Sequence, residues 1–272
     1  MPQTPQTSML GAYAPAEIAR RIETAGIAKV KVPFLPMFAL AVLAGAFIAL
    51  GAMFYLVTMT DTGLGLGPSR LLGGIVFSLG LVLVLVGGAE LFTGNSLIVM
   101  GWANGRIGSG ELLRNWGIVY VGNLVGAVGM AVMAWLSGFQ HLGGDGVQAT
   151  AIGLAAGKVA LPFFEAFVRG VLCNVLVCLA VWLCFAAQSV GSKILAIVFP
   201  ISAFVALGLE HSIANMFFIP LALLLEGGAG ISPGLDMAGF VGNLVPVSLG
   251  NIIGGGVFVA LTYKIVYLRA QD

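Results

Sequence analysis

The sequence is poor in charge. Lys and Arg number 12 and Asp and Glu 11 among 272 residues, so charged residues make up 8 % of the chain, against roughly 25 % in soluble globular domains. With 59 % hydrophobic residues and a mean hydropathy of +1.06, this deficit excludes an ordinary soluble protein, a disordered chain and a coiled coil. A net charge of +1 gives no basic surface for nucleic acid. Histidines are confined to His141 and His211 and cysteines to Cys173, Cys178 and Cys184. The three cysteines share one apolar stretch at spacings that prevent pairing on a single helix, and no CxxC pair occurs. A disulfide scaffold and a zinc site are therefore both excluded, and no metal or cofactor is expected. No short apolar core with a cleavage site opens the chain, so residues 1–28 are not a signal peptide. Their polar residues, with Ala14-Pro15-Ala16-Glu17 onward, predict a short amphipathic helix leading to a membrane domain at 29–272.

What is abundant is glycine, with 40 residues; small residues let membrane helices approach closely. A span needs about 20 mostly apolar residues. Six stretches qualify: 34–57, 71–101, 115–137, 160–187, 193–225 and 238–268. The second and fifth are overlong and interrupted by polar residues. The fold class is therefore an all-α polytopic membrane protein with six transmembrane helices, spans two and five broken. Arg20, Arg21, Lys29, Lys31, Arg106, Arg114, Lys193, Lys264 and Arg269 fall on one side, and only Arg70 and Lys158 on the other; Arg169 lies inside span four. The positive-inside rule then makes both termini cytoplasmic.

An internal repeat appears at an offset of 120 residues. Gly122-Asn123-Leu124-Val125 recurs as Gly242-Asn243-Leu244-Val245, Glu90 maps to Glu210 and Asn95 to Asn215. Three spans per half (about 34–137 and 160–268) force the second half to be inverted. Matched interruptions in an inverted repeat point to a midplane site in a transporter or channel.

Polar groups at membrane depth are costly and mark function or structural need. Glu90, Asn95 and Glu210 have two readings: they satisfy unwound backbone, or they act on a permeant. His211, the only histidine at membrane depth, is read as functional because imidazole exchanges protons near neutral pH. Asn215 is placed to orient its ring, and Thr93, at the break in span two, to meet it across a pore. Lys158 either draws anions into a vestibule or snorkels. Glu165 and Arg169, four residues apart on span four, form an intrahelical pair. Asn174 donates to a passing oxygen or to a neighbouring helix. Trp116, Trp135 and Trp182 read as interface anchors. Phe77, Leu81, Leu91, Val177 and Phe204 read as apolar constrictions or as plain core. An aquaporin-type channel would carry Asn-Pro-Ala at both breaks, and none is present. Ser212 beside His211 makes a poor dyad, since neighbours face different ways, so an enzyme is not expected.

Ala89-Glu90-Leu91-Phe92-Thr93-Gly94-Asn95, Gly122-Asn123-Leu124-Val125-Gly126-Ala127, the Leu172–Ala180 stretch, Glu210-His211-Ser212-Ile213-Ala214-Asn215-Met216, Asn243-Leu244-Val245-Pro246 and Gly250-Asn251 together resemble the formate/nitrite transporter family. The resemblance runs from span one to the end of the chain. It implies an aquaporin-like fold, an inner-membrane location and a homopentamer with one pore per subunit. It also implies Thr93 and His211 as the central pore pair, with Glu210 and Asn215 tuning the histidine. Leu91, Phe92 and Thr93 would form the loop that interrupts span two; Leu81, Leu91, Phe92 and Phe204 would narrow the pore. Asn174 would line it and Lys158 would attract anions. Phe54-Tyr55, Asn115-Trp116, Val119-Tyr120, Phe199-Pro200 and Tyr267-Leu268-Arg269 look most like formate channels. Gly94-Asn95 and Arg169 keep nitrite, and more distantly hydrosulfide, open as substrates.

Overall fold

The computed structural model describes residues 11–227 and 232–268. Arg269 and the first ten residues of the expected amphipathic segment lie outside the described residues. Among the described residues the regular elements are all helical.

Helix α1 (Pro15–Val30) opens with Pro at its first turn and Glu17 near its positive end, both favourable there. It buries Ile18, Ala19, Ile22, Gly26 and Val30, one stripe at helical spacing. That stripe packs against Leu97, Ile98, Met100, Ile107 and Val181. Proline again stands immediately before α2 (Phe34–Met59) and α7 (Phe163–Ala186). Five helices are long and apolar enough to cross a membrane: α2, α3 (Leu66–Gly87), α5 (Ser109–Leu136), α7 and the continuous Met237–Tyr267. The last comprises α10 (Met237–Ile252), a π-helical segment Ile253–Leu261 and α11 (Thr262–Tyr267). The protein is a multi-pass membrane protein.

The two overlong stretches resolve into pieces. The stretch 71–101 becomes α3, an irregular segment, a 3-10 turn at Gly94–Ile98 and the short α4 (Val99–Ala103). The stretch 193–225 becomes α8 (Val190–Ala206) and α9 (Ser212–Leu225). Both interruptions begin the same way. Gly88 and Gly208 adopt left-handed φ of +83° and +67°. The next residue closes a wide turn: Ala89 N–H donates to Val84 O at 2.9 Å, and Leu209 N–H to Phe204 O at 3.1 Å. This is the glycine C-cap that ends a helix while satisfying its last carbonyls. A further helix, α6 (Gly146–Val159), lies between the expected third and fourth spans; its glycine and alanine content gives no strong apolar period.

Glycine sets the helix spacing. In α5, a Cβ on Gly126 would lie 2.9 Å from Val42 C and 3.0 Å from Ala46 N of α2; a Cβ on Gly254 would lie 3.0 Å from Val171 C of α7. Backbone packs on backbone at both crossings. Trp182 corrects an expectation. It is 6 % exposed and packs against Tyr263 with ring centroids 4.0 Å apart and the planes tilted by 40°, because α11 and the π segment cover it. Only Trp135 of the three expected anchors is exposed.

Replacing Gly126 or Gly254 by Leu should part these helix pairs, at or beyond the upper end of the roughly 1–3 kcal/mol that overpacking costs. Both variants should lose the folded peak in size-exclusion chromatography in mild detergent, whereas Gly153→Leu, at an open position, should keep it.

Candidate functional site

The irregular segments Ala89–Thr93 and Leu209–His211 cross the interior side by side. Each is held by an asparagine of a later helix. Asn123 on α5 donates from Nδ2 to Ala41 O (2.7 Å) and Glu90 O (2.9 Å), and its Oδ1 accepts from Phe92 N–H at 2.9 Å. Asn251 on α10 donates to Gly170 O (2.8 Å) and Glu210 O (3.0 Å) and accepts from Ser212 N–H at 2.9 Å. Both side chains are fully buried. Each completes backbone groups that an interrupted helix leaves open in a dry interior.

Each segment also carries a buried carboxylate with a lysine and an asparagine. Lys29 Nζ reaches Glu90 Oε1 at 2.7 Å, and Asn95 Nδ2 reaches Glu90 Oε2 at 2.7 Å and Asn115 Oδ1 at 3.0 Å. Lys158 Nζ reaches Glu210 Oε1 at 2.8 Å, and Asn215 Nδ2 reaches Glu210 Oε2 at 2.7 Å and Asn243 Oδ1 at 2.7 Å. These contacts correct the sequence alignment of the halves. The offset of 120 holds at the breaks, but Asn123 answers to Asn251 and Asn115 to Asn243. The recurrent Gly-Asn-Leu-Val therefore does not superpose, because the connections before the last helix of each half differ in length.

His211 caps α9. Its Nδ1 accepts from Ala214 N–H at 3.1 Å, and its Nε2 lies 3.0 Å from Thr93 Oγ1. An Nδ1 that accepts leaves the proton of neutral imidazole on Nε2, directed at Thr93. Thr93 and His211 thus meet, as their positions predict. The ring is oriented by Ala214 N–H and by Phe204, whose ring stacks at 6.0 Å. The Asn215 amide goes to Glu210 and Asn243 instead of to the ring, and the Glu210 carboxylate to Lys158 and Asn215. Ser212 Oγ has no hydrogen-bond partner, so no Ser-His dyad forms.

Three cavities bear on this centre. The first, about 260 Å³, is lined by Arg70, Lys158, Arg169, Phe204, Glu210 and His211 among others. The second, about 310 Å³, includes Lys29, Leu81, Glu90, Leu91, Asn95 and Lys193. Between them a space of about 10 Å³ is walled by Phe77, Leu81, Leu91, Val177, Phe204 and His211, with Ile48 and Ile201. The expected constriction residues converge there, save one. Phe92 turns away and packs edge-on against Tyr120 and Trp116 at 4.8 and 6.1 Å, because the chain turns at Phe92–Thr93 on its way into the Gly94–Ile98 segment. Asn174 is fully buried and lines none of these cavities; its Nδ2 binds Thr93 O, Ser96 Oγ and Asn251 O. Ile48, Ile201, Asn115, Asn123, Asn243 and Asn251 belong to the site without having been singled out for it. A buried asparagine recurring at matched places in the two halves is the signal that could have found the last four.

The formate/nitrite transporter family pattern matches residues 16–265. The chain is 43 % identical to the formate channel FocA of Escherichia coli strain K12, over 95 % of each chain. It superposes on a pentameric formate channel with formate bound with a TM-score of 0.80, at 38 % identity, covering 87 % of this chain and 98 % of that one. It also superposes on an FNT family ion channel with a TM-score of 0.83, at 30 % identity, covering 92 % and 98 %. On sequence and fold together the chain belongs to the formate/nitrite transporter family.

Proposed function

We propose that the protein is a homopentameric inner-membrane channel for small monovalent anions, formate first, with one path per subunit through the Thr93–His211 centre. The observation that carries this reading is the series of two cavities with charged residues in their walls, divided by a narrow apolar neck that has His211 in its wall. The FocA relative is named a formate channel and the solved neighbour holds formate as a pentamer. In this reading the two halves are inverted three-span repeats with spans two and five broken, as in aquaporins. The termini are cytoplasmic, so the Lys29 cavity faces the cytoplasm and the Lys158 cavity the outside.

Charge decides how the neck is passed. Moving a bare ion into an apolar medium costs tens of kcal/mol by idealised Born estimates. Protonating a carboxylate of pKa about 4 at pH 7 costs roughly 4 kcal/mol. The permeant therefore crosses as the neutral acid. An anion in the outer cavity meets the Lys158 ammonium and then His211. Imidazolium gives its Nε2 proton to a carboxylate oxygen while the Thr93 hydroxyl steadies the acid. The neutral ring left behind carries its remaining proton on Nδ1, where it cannot accept from Ala214 N–H, until a proton from water in the cavity returns to Nε2 and recharges it. A charged ring must surrender that Nδ1 bond, which ties proton state to the cap of α9. Leu81, Leu91, Phe77 and Phe204 exclude water from the crossing. Nitrite, also the anion of a weak acid, satisfies the same requirements, and Gly94-Asn95 with Arg169 supports it as the second substrate.

His211→Phe should abolish the change of formate flux between pH 5 and pH 8 in proteoliposomes. Retention of the full pH dependence would exclude proton transfer by His211. Phe204→Ala, which opens the neck, should raise acetate flux relative to formate several-fold in the same assay. Orientation has its own test: with the native thiols buried, cysteines placed at Leu64 and Leu142 should react with an impermeant maleimide from outside, and one placed at Arg106 only from the cytoplasmic side.

A further inference from the structure

The outer cavity carries more positive charge than its lysine supplies. Among the described residues, Glu210 is the only acidic one in its lining. It is already bound to Lys158, whose side chain is 11 % exposed, so this pair contributes a dipole and no net charge. Arg70 and Arg169 remain. Arg70, from α3, donates from Nη1 to Ala206 O at 3.1 Å and has no carboxylate partner among the described ion pairs. Arg169, from α7, donates from Nη1 to Gly208 O at 3.2 Å and from Nη2 to Glu165, a half-exposed residue outside the cavity lining.

The two guanidinium groups converge on one residue. A Cβ on Gly208 would lie 2.8 Å from Arg70 Nη1 and 4.0 Å from Arg169 Nη1. Gly208 begins the irregular segment that leads through Glu210 to His211. Two like charges drawn together in a partly dry cavity repel unless something negative joins them. The carbonyls at the end of α8 supply part of that negative charge. Those carbonyls occupy one edge of each planar fork and Glu165 takes Nη2 of Arg169, whereas Arg70 keeps N–H groups with no partner among the described residues. Such forks match the two oxygens of a carboxylate or of nitrite.

We infer that Arg70 and Arg169 form a collecting site for a small planar monovalent oxyanion at the outer cavity, ahead of Lys158 and His211. The inference rests on the anion-channel reading and names the residues that gather the anion for it. A mere helix-capping role would change stability. A collecting role changes the concentration at which flux saturates, and does so in a salt-dependent way from one face.

The test uses the full chain in proteoliposomes separated by orientation through an N-terminal tag. Labelled formate uptake is measured from each face at about 0.1 M and about 1 M ionic strength, where the screening lengths are roughly 10 Å and 3 Å. Relative to wild type, R70Q/R169Q should raise the half-saturating formate concentration about five-fold at low salt, from the outer face only, and less than about two-fold at high salt. The maximal rate should hold. R70K/R169K, which keeps the charge but loses the planar fork, should raise the half-saturating concentration at low salt by less than the Gln variant does. The single variants serve in place of the double one if it fails to elute with the wild-type oligomer. Wild-type saturation in the Gln variants, or an increase that ignores face and salt, overturns the inference and leaves the channel standing. A wild-type protein that carries no formate or nitrite from either face overturns the channel reading and this inference with it.

Discussion

Inside an apolar body, every backbone N–H and C=O needs a partner, because no water is there to replace a lost one. A helix interrupted at mid-depth violates this rule unless other residues complete it, and the whole interior here is arranged around two such completions. Asn123 and Asn251 each use two donors and one acceptor of a single amide to tie an irregular segment to the first long helix of its half. Glycines 45, 126, 250 and 254 let those helices come near enough for the amides to reach. Without that contact the segments bearing Glu90, Thr93, Glu210 and His211 would have no fixed course.

Charge is handled by the same economy of partners. Glu90 and Glu210 are buried, and each is neutralised by a lysine and bonded to an asparagine. A buried carboxylate left without either would be strongly unfavourable. The lysine that neutralises Glu90 comes from α1, so the amphipathic N-terminal helix is built into the floor of one cavity and does not merely lie on a membrane surface. Between the two charged floors the wall is apolar, apart from one imidazole whose unshared face is directed at a threonine hydroxyl. Charged groups at the ends and an apolar wall at the middle thereby fall to different residues, the separation that the proposed pathway for a small weak acid requires.

Much of this was legible in the sequence. Charge scarcity and apolar runs record which residues avoid water, so the long helices follow directly. The overlong stretches, with glycine and polar residues at their centres, marked both interruptions. Glu90, Asn95, Glu210 and Asn215 marked the matched clusters, since an ionisable group at that depth needs a reason. Thr93 and His211 were placed opposite one another by their positions at the two breaks.

Other features depended on the third dimension. The sequence indicated Asn243 as the counterpart of Asn123, yet the contacts pair Asn123 with Asn251, because unequal connections shift the last helix of each half. Trp182 looked like an interface anchor until α11 covered it. Phe92 looked like a wall of the neck, but the turn at Phe92–Thr93 sends its ring to Tyr120. Asn174 looked like a pore residue and instead holds Thr93 O from behind. Arg70 and Arg169, remote in sequence, meet only because α3 and α7 flank the end of α8. The sequence by itself determined where the chain enters an apolar medium and where its helices must break, since both follow from local composition. Only the tertiary structure decided which partner each buried polar group finds, since that depends on how neighbouring helices are shifted and rotated against one another.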